Sequence, residues 1–137
     1  MLIHIEYFFL DIQFMKIAKQ IYIFSDCNQK TNILKELLQS LSTINHPIKI
    51  VSTDMTLEGE NIHADLIIIF SHLSIVELLI KIQGTRKKTS AKILVILNSG
   101  TTSHSLSTEI IKSGANDVVN NLFSTSQLLR KTIQLTY

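Results

Sequence analysis

Cysteine, proline and tryptophan are nearly absent from this sequence, which has one cysteine, one proline, four glycines and no tryptophan. A single cysteine, Cys27, excludes an internal disulfide and is typical of a protein of the reducing cytoplasm. There is no G-x-G-x-x-G or Walker sequence, so dinucleotide and nucleoside triphosphate binding have no support. We therefore expect a cytoplasmic protein without a nucleotide cofactor.

Long apolar runs are also missing. No stretch reaches the roughly 20 apolar residues that a helix needs to span a bilayer. The first twenty residues are rich in aliphatic and aromatic side chains, but Glu6 and Asp11 interrupt them, and the lysines come late, at Lys16 and Lys19. A secretory signal needs a basic start and an uninterrupted apolar core. The sequence therefore predicts neither a membrane span nor a secretory signal.

An excess of charge of one sign is missing too, since 13 lysines and arginines stand against 11 aspartates and glutamates, a net charge of +2. So weak a field does not attract nucleic acid or anionic lipid. The one basic run, Arg86-Lys87-Lys88, has no interleaved aromatic residues that would stack on bases, and it is interpreted as a solvated loop. We expect neither nucleic acid nor a membrane as a partner.

Size and composition predict one folded domain preceded by an extra segment. With 137 residues, 45% of them hydrophobic, the chain is long enough for one core and too short for two. The predicted domain covers residues 19–137, and residues 1–18 are a leader or an extra element, either packed on the domain or used for docking or dimerisation. Helical spacing and strand alternation fit this segment equally well. Its helical stripe consists of Ile3, Tyr7, Leu10, Phe14 and Ile17.

The run from Ala64 to Ser71 is the predicted centre of the domain. Its five consecutive large apolar residues indicate a strand buried on both faces. Strands and helices alternate around it, which implies a parallel sheet with right-handed crossovers and helices on both faces. Predicted strands cover residues 21–24, 48–52, 64–71, 92–97 and 117–120, and predicted helices cover 29–41, 74–84, 106–113 and a last helix after Ser124.

Caps and apolar spacing define the predicted helices. Ser74 and Glu77 form a capping box at the start of one helix, Gly84 is expected to end it, and Gly114 is expected to end the next. Between Thr53 and His63 there is room for little more than one helical turn, so the second crossover is predicted to be short. The residues expected to face the core are Ile33, Leu34, Leu37, Leu38 and Leu41 in the first helix and Leu128, Leu129 and Ile133 in the last.

The end of CheY-like receiver domains of two-component response regulators is similar to the run Gly114-Ala115-Asn116-Asp117-Val118-Val119-Asn120-Asn121-Leu122-Phe123-Ser124, followed by Gln127-Leu128-Leu129. In that family the run is typically Gly-Ala-Asp-Asp-Tyr-Leu-x-Lys-Pro-Phe, followed by an amphipathic helix. In element order the resemblance extends from about Lys19 to Thr136. It implies a flavodoxin-like, three-layer α/β/α fold with a five-stranded parallel sheet of order 2-1-3-4-5.

The resemblance also says where receiver chemistry would take place. In that family an aspartate ending the third strand accepts a phosphoryl group, acidic residues after the first strand hold Mg²⁺, and a hydroxyl and a lysine contact the phosphoryl oxygens. The acceptor position falls here on Phe70, which has no nucleophilic oxygen. The acidic pair becomes Ser25 and Asp26, the hydroxyl position falls on Asn98 or Ser99, and the lysine becomes Asn121. The resemblance therefore implies a degenerate phosphoacceptor pocket that is not phosphorylated on aspartate in the usual manner.

Two alternatives of other classes remain open. Cys27 stands between a strand and a helix, where a helix N-terminus activates thiolates, as in phosphocysteine-bearing sugar-transport IIB domains, although its loop has fewer Gly, Ser and Thr residues than theirs. The second alternative is a small-ligand sensor whose crevice is lined by Ser25, Asp26, Asn98, Ser99 and Asn121. The five histidines show no metal-ligand spacing, so we expect no metal and no cofactor.

The favoured interpretation is a stand-alone pseudo-receiver that acts through protein contacts and is not an enzyme. Phe70 is expected to fill the pocket and to hold the domain in one conformation. Receiver domains commonly bind partners through the last two helices and the strand between them. By resemblance, the candidate contact positions are Asn120, Gln127, Arg130 and Lys131. The expected partner is another signalling protein or a second copy of the chain.

Overall fold

The computed structural model describes residues 19–25, 28–43, 47–53, 63–71, 74–97, 104–120 and 125–137. The strands in these ranges are β1 Lys19–Ser25, β2 Ile48–Thr53, β3 Leu66–Ser71, β4 Lys92–Leu97 and β5 Asp117–Asn120. The helices are α1 Asn28–Gln39, α2 Ile75–Lys88, α3 His104–Lys112 and α4 Thr125–Thr136. All four strand pairings are parallel, and the strand order is β2-β1-β3-β4-β5. The predicted fold class and strand order are confirmed.

The central strand β3 is covered on both faces. Its residues from Leu66 to Ile69 are fully buried, and Phe70 is 5% exposed. Because side chains alternate along a strand, Ile68 and Phe70 pack in a core with α1 and α4, whereas Ile67 and Ile69 pack in a second core with α2 and α3. Full burial of one such side chain stabilises the fold by about 1.5–3 kcal/mol. The two cores give the predicted three layers.

Asp65, the acidic residue before β3, ties the start of β3 to β1. The backbone N–H of Gln20 donates to Oδ2 of Asp65 at 2.8 Å, and the N–H of Asp65 donates to the carbonyl of Gln20 at 2.9 Å. The ammonium of Lys19 lies 3.9 Å from the other carboxylate oxygen. These contacts set the register of β1 and β3 at their amino ends, and therefore also which residues meet at their carboxyl ends.

The predicted end of α2 at Gly84 is wrong, and so is the interpretation of Arg86-Lys87-Lys88 as a loop. The helix continues to Lys88, and these basic residues form its last turn. Arg86 holds this end in place because its guanidinium donates to the carbonyls of Thr89 at 3.2 Å, Ala91 at 2.8 Å and Gly114 at 2.9 Å. Contacts distant in sequence thus outweigh the helix-breaking tendency of a glycine.

Two isoleucines expected in the core lie at the surface. Ile33 on α1 is 56% exposed and Ile133 on α4 is 45% exposed. Threonine takes an inward position in each of these helices: Thr31 and Thr132 are buried, and the Thr132 hydroxyl donates to the carbonyl of Leu128 at 2.9 Å. The hydroxyl of such a threonine is satisfied by a carbonyl of its own helix, so the side chain can be buried without an unpaired polar group. A pattern that counts only apolar residues therefore places the inward face of the helix incorrectly.

The predicted short second crossover, residues 54–62, and the predicted extra segment, residues 1–18, lie outside the described ranges. None of the described helices combines the length and the apolar character needed to cross a bilayer.

Candidate functional site: the carboxyl edge of the sheet and the β5 face

Phe70 and Ser25 meet at the carboxyl edge of the sheet. Ser25 of β1 is the register partner of Phe70 on β3, and Phe70 is in turn the partner of Ile96 on β4. In open α/β sheets ligands bind in the crevice outside this edge. The two predicted pocket residues that the structure describes are therefore neighbours, as the strand order requires.

The Phe70 side chain belongs to the apolar core. Its ring is 5% exposed and lies in the same buried cluster as Leu34 of α1, Val119 of β5 and Leu128 of α4. Ser25 beside it is 8% exposed. A phenyl ring provides neither a nucleophile nor a metal ligand. The position at the centre of the crevice is therefore occupied by an apolar core side chain and not by a reactive group.

The other predicted pocket residues, Asp26, Asn98, Ser99 and Asn121, lie outside the described residues. Each follows a strand that ends at this edge, since β1 ends at Ser25, β4 at Leu97 and β5 at Asn120. Cys27, the thiol of the carrier alternative, is also outside the described residues. Among the residues that the structure describes, no three His, Cys, Asp or Glu side chains come together as a candidate metal site.

The candidate partner face is built from α3, β5 and α4, and we call it the β5 face. Among the described strands, β5 pairs with β4 alone, so it lies at an edge of the five-stranded sheet. Gln127 and Arg130 are exposed on α4, as a contact role requires. Asn120 is the last residue of β5, and its side chain is outside the described part of the chain.

Lys131, the fourth candidate, has an ion-pair partner within the domain. Its ammonium lies 2.5 Å from Oδ2 of Asp117, and Oδ1 of Asp117 accepts from the N–H of Val118 at 2.8 Å. Both side chains are about one third exposed. Lys131 therefore helps to fix α4 against the start of β5.

One exposed residue of this region was missed by the sequence analysis. Ile111 on α3 is 43% exposed, while its neighbour Ile110 is fully buried. Consecutive residues of a helix point about 100° apart, so only one of two adjacent isoleucines can face the core. The Ile110-Ile111 pair was the available signal for an exposed apolar residue on α3.

Comparisons with known proteins identify the fold. No family model matches the sequence, and a search of curated proteins finds no matching relative. A CheY-like response regulator receiver domain protein from Methanospirillum hungatei superposes with a TM-score of 0.65 at 18% identity, over 85% of this chain and 92% of that one. The pilus assembly protein CpaE from Caulobacter crescentus gives a TM-score of 0.64 at 12% identity, over 85% and 98% of the two chains.

A third match is a chain of the complex between the P1 domain of CheA3 and CheY6 from R. sphaeroides. Its TM-score is 0.61 at 14% identity, and the match covers 86% of this chain and 96% of that one. At these identities the likeness concerns the fold. Together with the strand order, the matches show that this protein has the fold of the CheY-like receiver domains of response regulators.

Proposed function

We propose that the protein is a receiver-like module that is not phosphorylated on aspartate and that acts through contacts with other proteins. The observation that carries the proposal is the position of Phe70. Its ring is buried at the carboxyl end of the central strand, where the receiver resemblance expects the acceptor aspartate. The side chain at that position therefore has no oxygen nucleophile that could accept a phosphoryl group.

The neighbouring position supports the same conclusion. Ser25, in register with Phe70, takes the place of one of the two acidic residues, so Asp26 is the only carboxylate left at the end of β1. Mg²⁺ is usually bound by one or two carboxylates together with substrate phosphate oxygens. With the acceptor replaced as well, neither Phe70 nor Ser25 carries the carboxylate that the receiver resemblance expects at its position.

The buried ring of Phe70 also removes the basis of the conformational change that phosphorylation causes in receivers. Phosphorylation changes a receiver because the added charge favours one of two conformations. Phe70 instead contributes apolar packing between the sheet, α1 and α4. We infer that the domain keeps one conformation and provides a constant binding surface, and that it is not an enzyme.

The β5 face is the proposed contact surface. It combines exposed Gln127 and Arg130 with the apolar Ile111 beside an edge strand. Interfaces commonly combine apolar and arginine side chains of this kind. The solved complex of CheY6 with the P1 domain of CheA3 is an example of this fold bound to a protein. The proposed partner is a cytoplasmic signalling protein or a second copy of the chain.

Covalent labelling tests the absence of an acceptor. The full chain is incubated with acetyl phosphate and Mg²⁺ and its intact mass is measured, with a phosphorylatable receiver as the positive control. The proposal expects the control to gain a phosphoryl group and this protein to remain unmodified. A phosphoryl group mapped to an aspartate would refute the proposal, and one mapped to Cys27 would replace it by the carrier alternative.

Sedimentation velocity over a range of protein concentrations tests the homodimer. The Ile111→Glu variant should weaken association through the β5 face, because it places a charge in an apolar contact. Ile80→Glu on α2 is the matched control, since Ile80 is 61% exposed and lies away from β5. Association that is unchanged by Ile111→Glu would exclude this face as the dimer contact, and a monomer at all concentrations would exclude the homodimer itself.

A further inference from the structure

The two most exposed large hydrophobic side chains in the described part of the chain lie on the outer face of α2. Val76 is 67% exposed and Ile80 is 61% exposed. Leu78 and Ile82 on the same helix are buried in the core, and a step of two residues turns a helix by about 200°, so Ile80 points away from the core. Val76 lies one turn before Ile80 on the same side. Adjacent exposed aliphatic side chains, unlike isolated ones, are typical of an interaction surface.

Gly84 continues this face toward the end of α2. It lies one turn after Ile80, and no described atom outside α2 lies within 4 Å of the position that a Cβ would take there. A glycine inside a helix destabilises it relative to alanine. The distance between two packed helices depends on the side chains at their contact, so a position without a side chain lets a second helix approach closely. Such an approach explains a glycine that the free domain does not need.

The charge of α2 selects the kind of partner. The helix has a net charge of +3, because it contains one acidic residue, Glu77, and four basic ones, Lys81, Arg86, Lys87 and Lys88. Lys87 is exposed and lies seven residues, or nearly two turns, after Ile80, so it is on the same outer face. Two copies of this face would repel each other, whereas an acidic surface would be attracted to it.

We propose that the outer face of α2, formed by Val76, Ile80, Gly84 and Lys87, binds an acidic, amphipathic helix of another protein. Apolar side chains of that helix pack on Val76 and Ile80, its backbone passes over Gly84, and its carboxylates lie near Lys87. The face is about 16 Å long from Val76 to Lys87, which corresponds to about three turns of a partner helix. Since α2 is not part of the β5 face, this is a second contact surface of the domain.

An NMR titration with a synthetic peptide tests the proposal. The nitrogen-15-labelled full chain is titrated with a helical peptide whose leucine stripe is flanked by glutamates, and with a matched peptide in which lysines replace the glutamates. The proposal expects chemical-shift changes that cluster on α2 with the acidic peptide, and binding of the basic peptide that is at least about tenfold weaker. Equal affinity for both peptides, changes centred on other elements, or no binding of the acidic peptide would overturn the proposal.

Variants of the outer face identify the contacts. Ile80→Glu and Lys87→Glu should each raise the Kd of the acidic peptide at least about tenfold. Gly84→Ala should also raise this Kd although it stabilises the free domain, and these opposite effects distinguish a contact from a folding defect. Arg130→Glu on α4 makes the same change of charge away from α2 and should leave the Kd unchanged. A Kd that any of the three α2 variants leaves unchanged, or that Arg130→Glu raises as much as Lys87→Glu, would contradict the proposal.

Two further measurements distinguish other occupants of this face. The proposal expects the α2 chemical shifts of the free protein to be independent of protein concentration, and a dependence on concentration would assign the face to a second copy of the chain. It also expects no cosedimentation with vesicles that contain phosphatidylserine. Cosedimentation that Ile80→Glu abolishes would assign the face to an anionic membrane. Either of these assignments would overturn the proposal.

Discussion

Phe70 and Ser25 are register partners at the carboxyl ends of the two central strands, and both are more than nine-tenths buried. In a receiver fold this is the place for oxygen ligands and an acceptor. The pair is instead a ring in the apolar core and a single hydroxyl. From this relationship we propose that the protein uses the receiver fold to present a binding surface and not to accept a phosphoryl group.

The first prediction concerns the stability that Phe70 contributes. Phe70→Ala should lower the free energy of unfolding by about 3–5 kcal/mol, because it removes a buried ring and leaves a cavity. Phe70→Leu keeps most of the apolar contact and should cost less than about 1.5 kcal/mol. Urea unfolding followed by circular dichroism measures both. A loss below about 1 kcal/mol for the alanine variant would show that the ring is not part of the core.

The second prediction is that two glycines respond to alanine with opposite signs. Gly114 has φ +128°, and an added Cβ would lie 2.9 Å from the Cβ and Cγ of Arg86. Gly114→Ala should therefore destabilise the fold by at least about 1–3 kcal/mol from backbone strain alone. Gly84 lies in α2 with open space around it. Gly84→Ala should stabilise the fold by about 0.5–1 kcal/mol.

A double-mutant cycle separates strain from overlap at Gly114. If the overlap with Arg86 contributes, Gly114→Ala combined with Arg86→Ala should cost less than the sum of the single variants. Because Arg86→Ala keeps the Cβ of Arg86, simple additivity would show only that the Arg86 side chain beyond Cβ adds nothing to the cost.

The third prediction concerns the hydrogen bonds of Arg86. Besides three backbone carbonyls, its guanidinium donates to Oδ1 of Asn116 at 2.9 Å, an oxygen that also accepts from the N–H of Ile93. Arg86→Lys should cost about 2–3 kcal/mol, nearly as much as Arg86→Ala, because one ammonium does not reach all of these acceptors. The neighbouring exposed Lys87→Ala should change stability by less than about 0.5 kcal/mol. A lysine variant as stable as the unmodified protein would contradict this account of how α2 ends.

The fourth prediction concerns the ion pair between Lys131 and Asp117. Both side chains are about one third exposed, so solvent screens the pair, and Lys131→Ala should cost no more than about 1 kcal/mol. The loss should shrink in 1 M salt, where the Debye length is about 3 Å. Arg130→Ala, on the exposed side of the same helix, is the control and should show no such salt dependence. A loss that is the same at low and high salt would mean that packing of the lysine stem, and not charge, accounts for it.

The sequence predicted the fold well because its strongest patterns are local. The apolar run from Leu66 to Phe70 and the turn at Gly114 gave the central strand and the last crossover, and the receiver resemblance then implied the strand order that the structure confirms. These signals depend on neighbouring residues and need no knowledge of tertiary contacts.

The errors have a common physical cause, since each concerns a residue whose role depends on a partner distant in sequence or on an internal hydrogen bond. Gly84 did not end α2, because Arg86 bonds to a carbonyl 28 residues away. Ile133 was assigned to the core in place of Thr132, whose hydroxyl is satisfied within its own helix. For the site, sequence identified Phe70 and Ser25 as neighbours. It did not predict that Lys131 contacts Asp117 or that Ile111 is exposed.

The most direct test of the central claim is thermal unfolding of the full chain with Mg²⁺ and beryllofluoride, a mimic of the aspartyl phosphate, added separately and together. A ligand at one hundred times its dissociation constant stabilises the folded state by about 2.7 kcal/mol, which is readily seen as a rise in Tm. A phosphorylatable receiver measured in parallel shows that the reagent is active. The account predicts that the Tm of this protein does not change in any of the mixtures. A Tm that rises only when both components are present would show a working acceptor site at the carboxyl edge and would contradict the account.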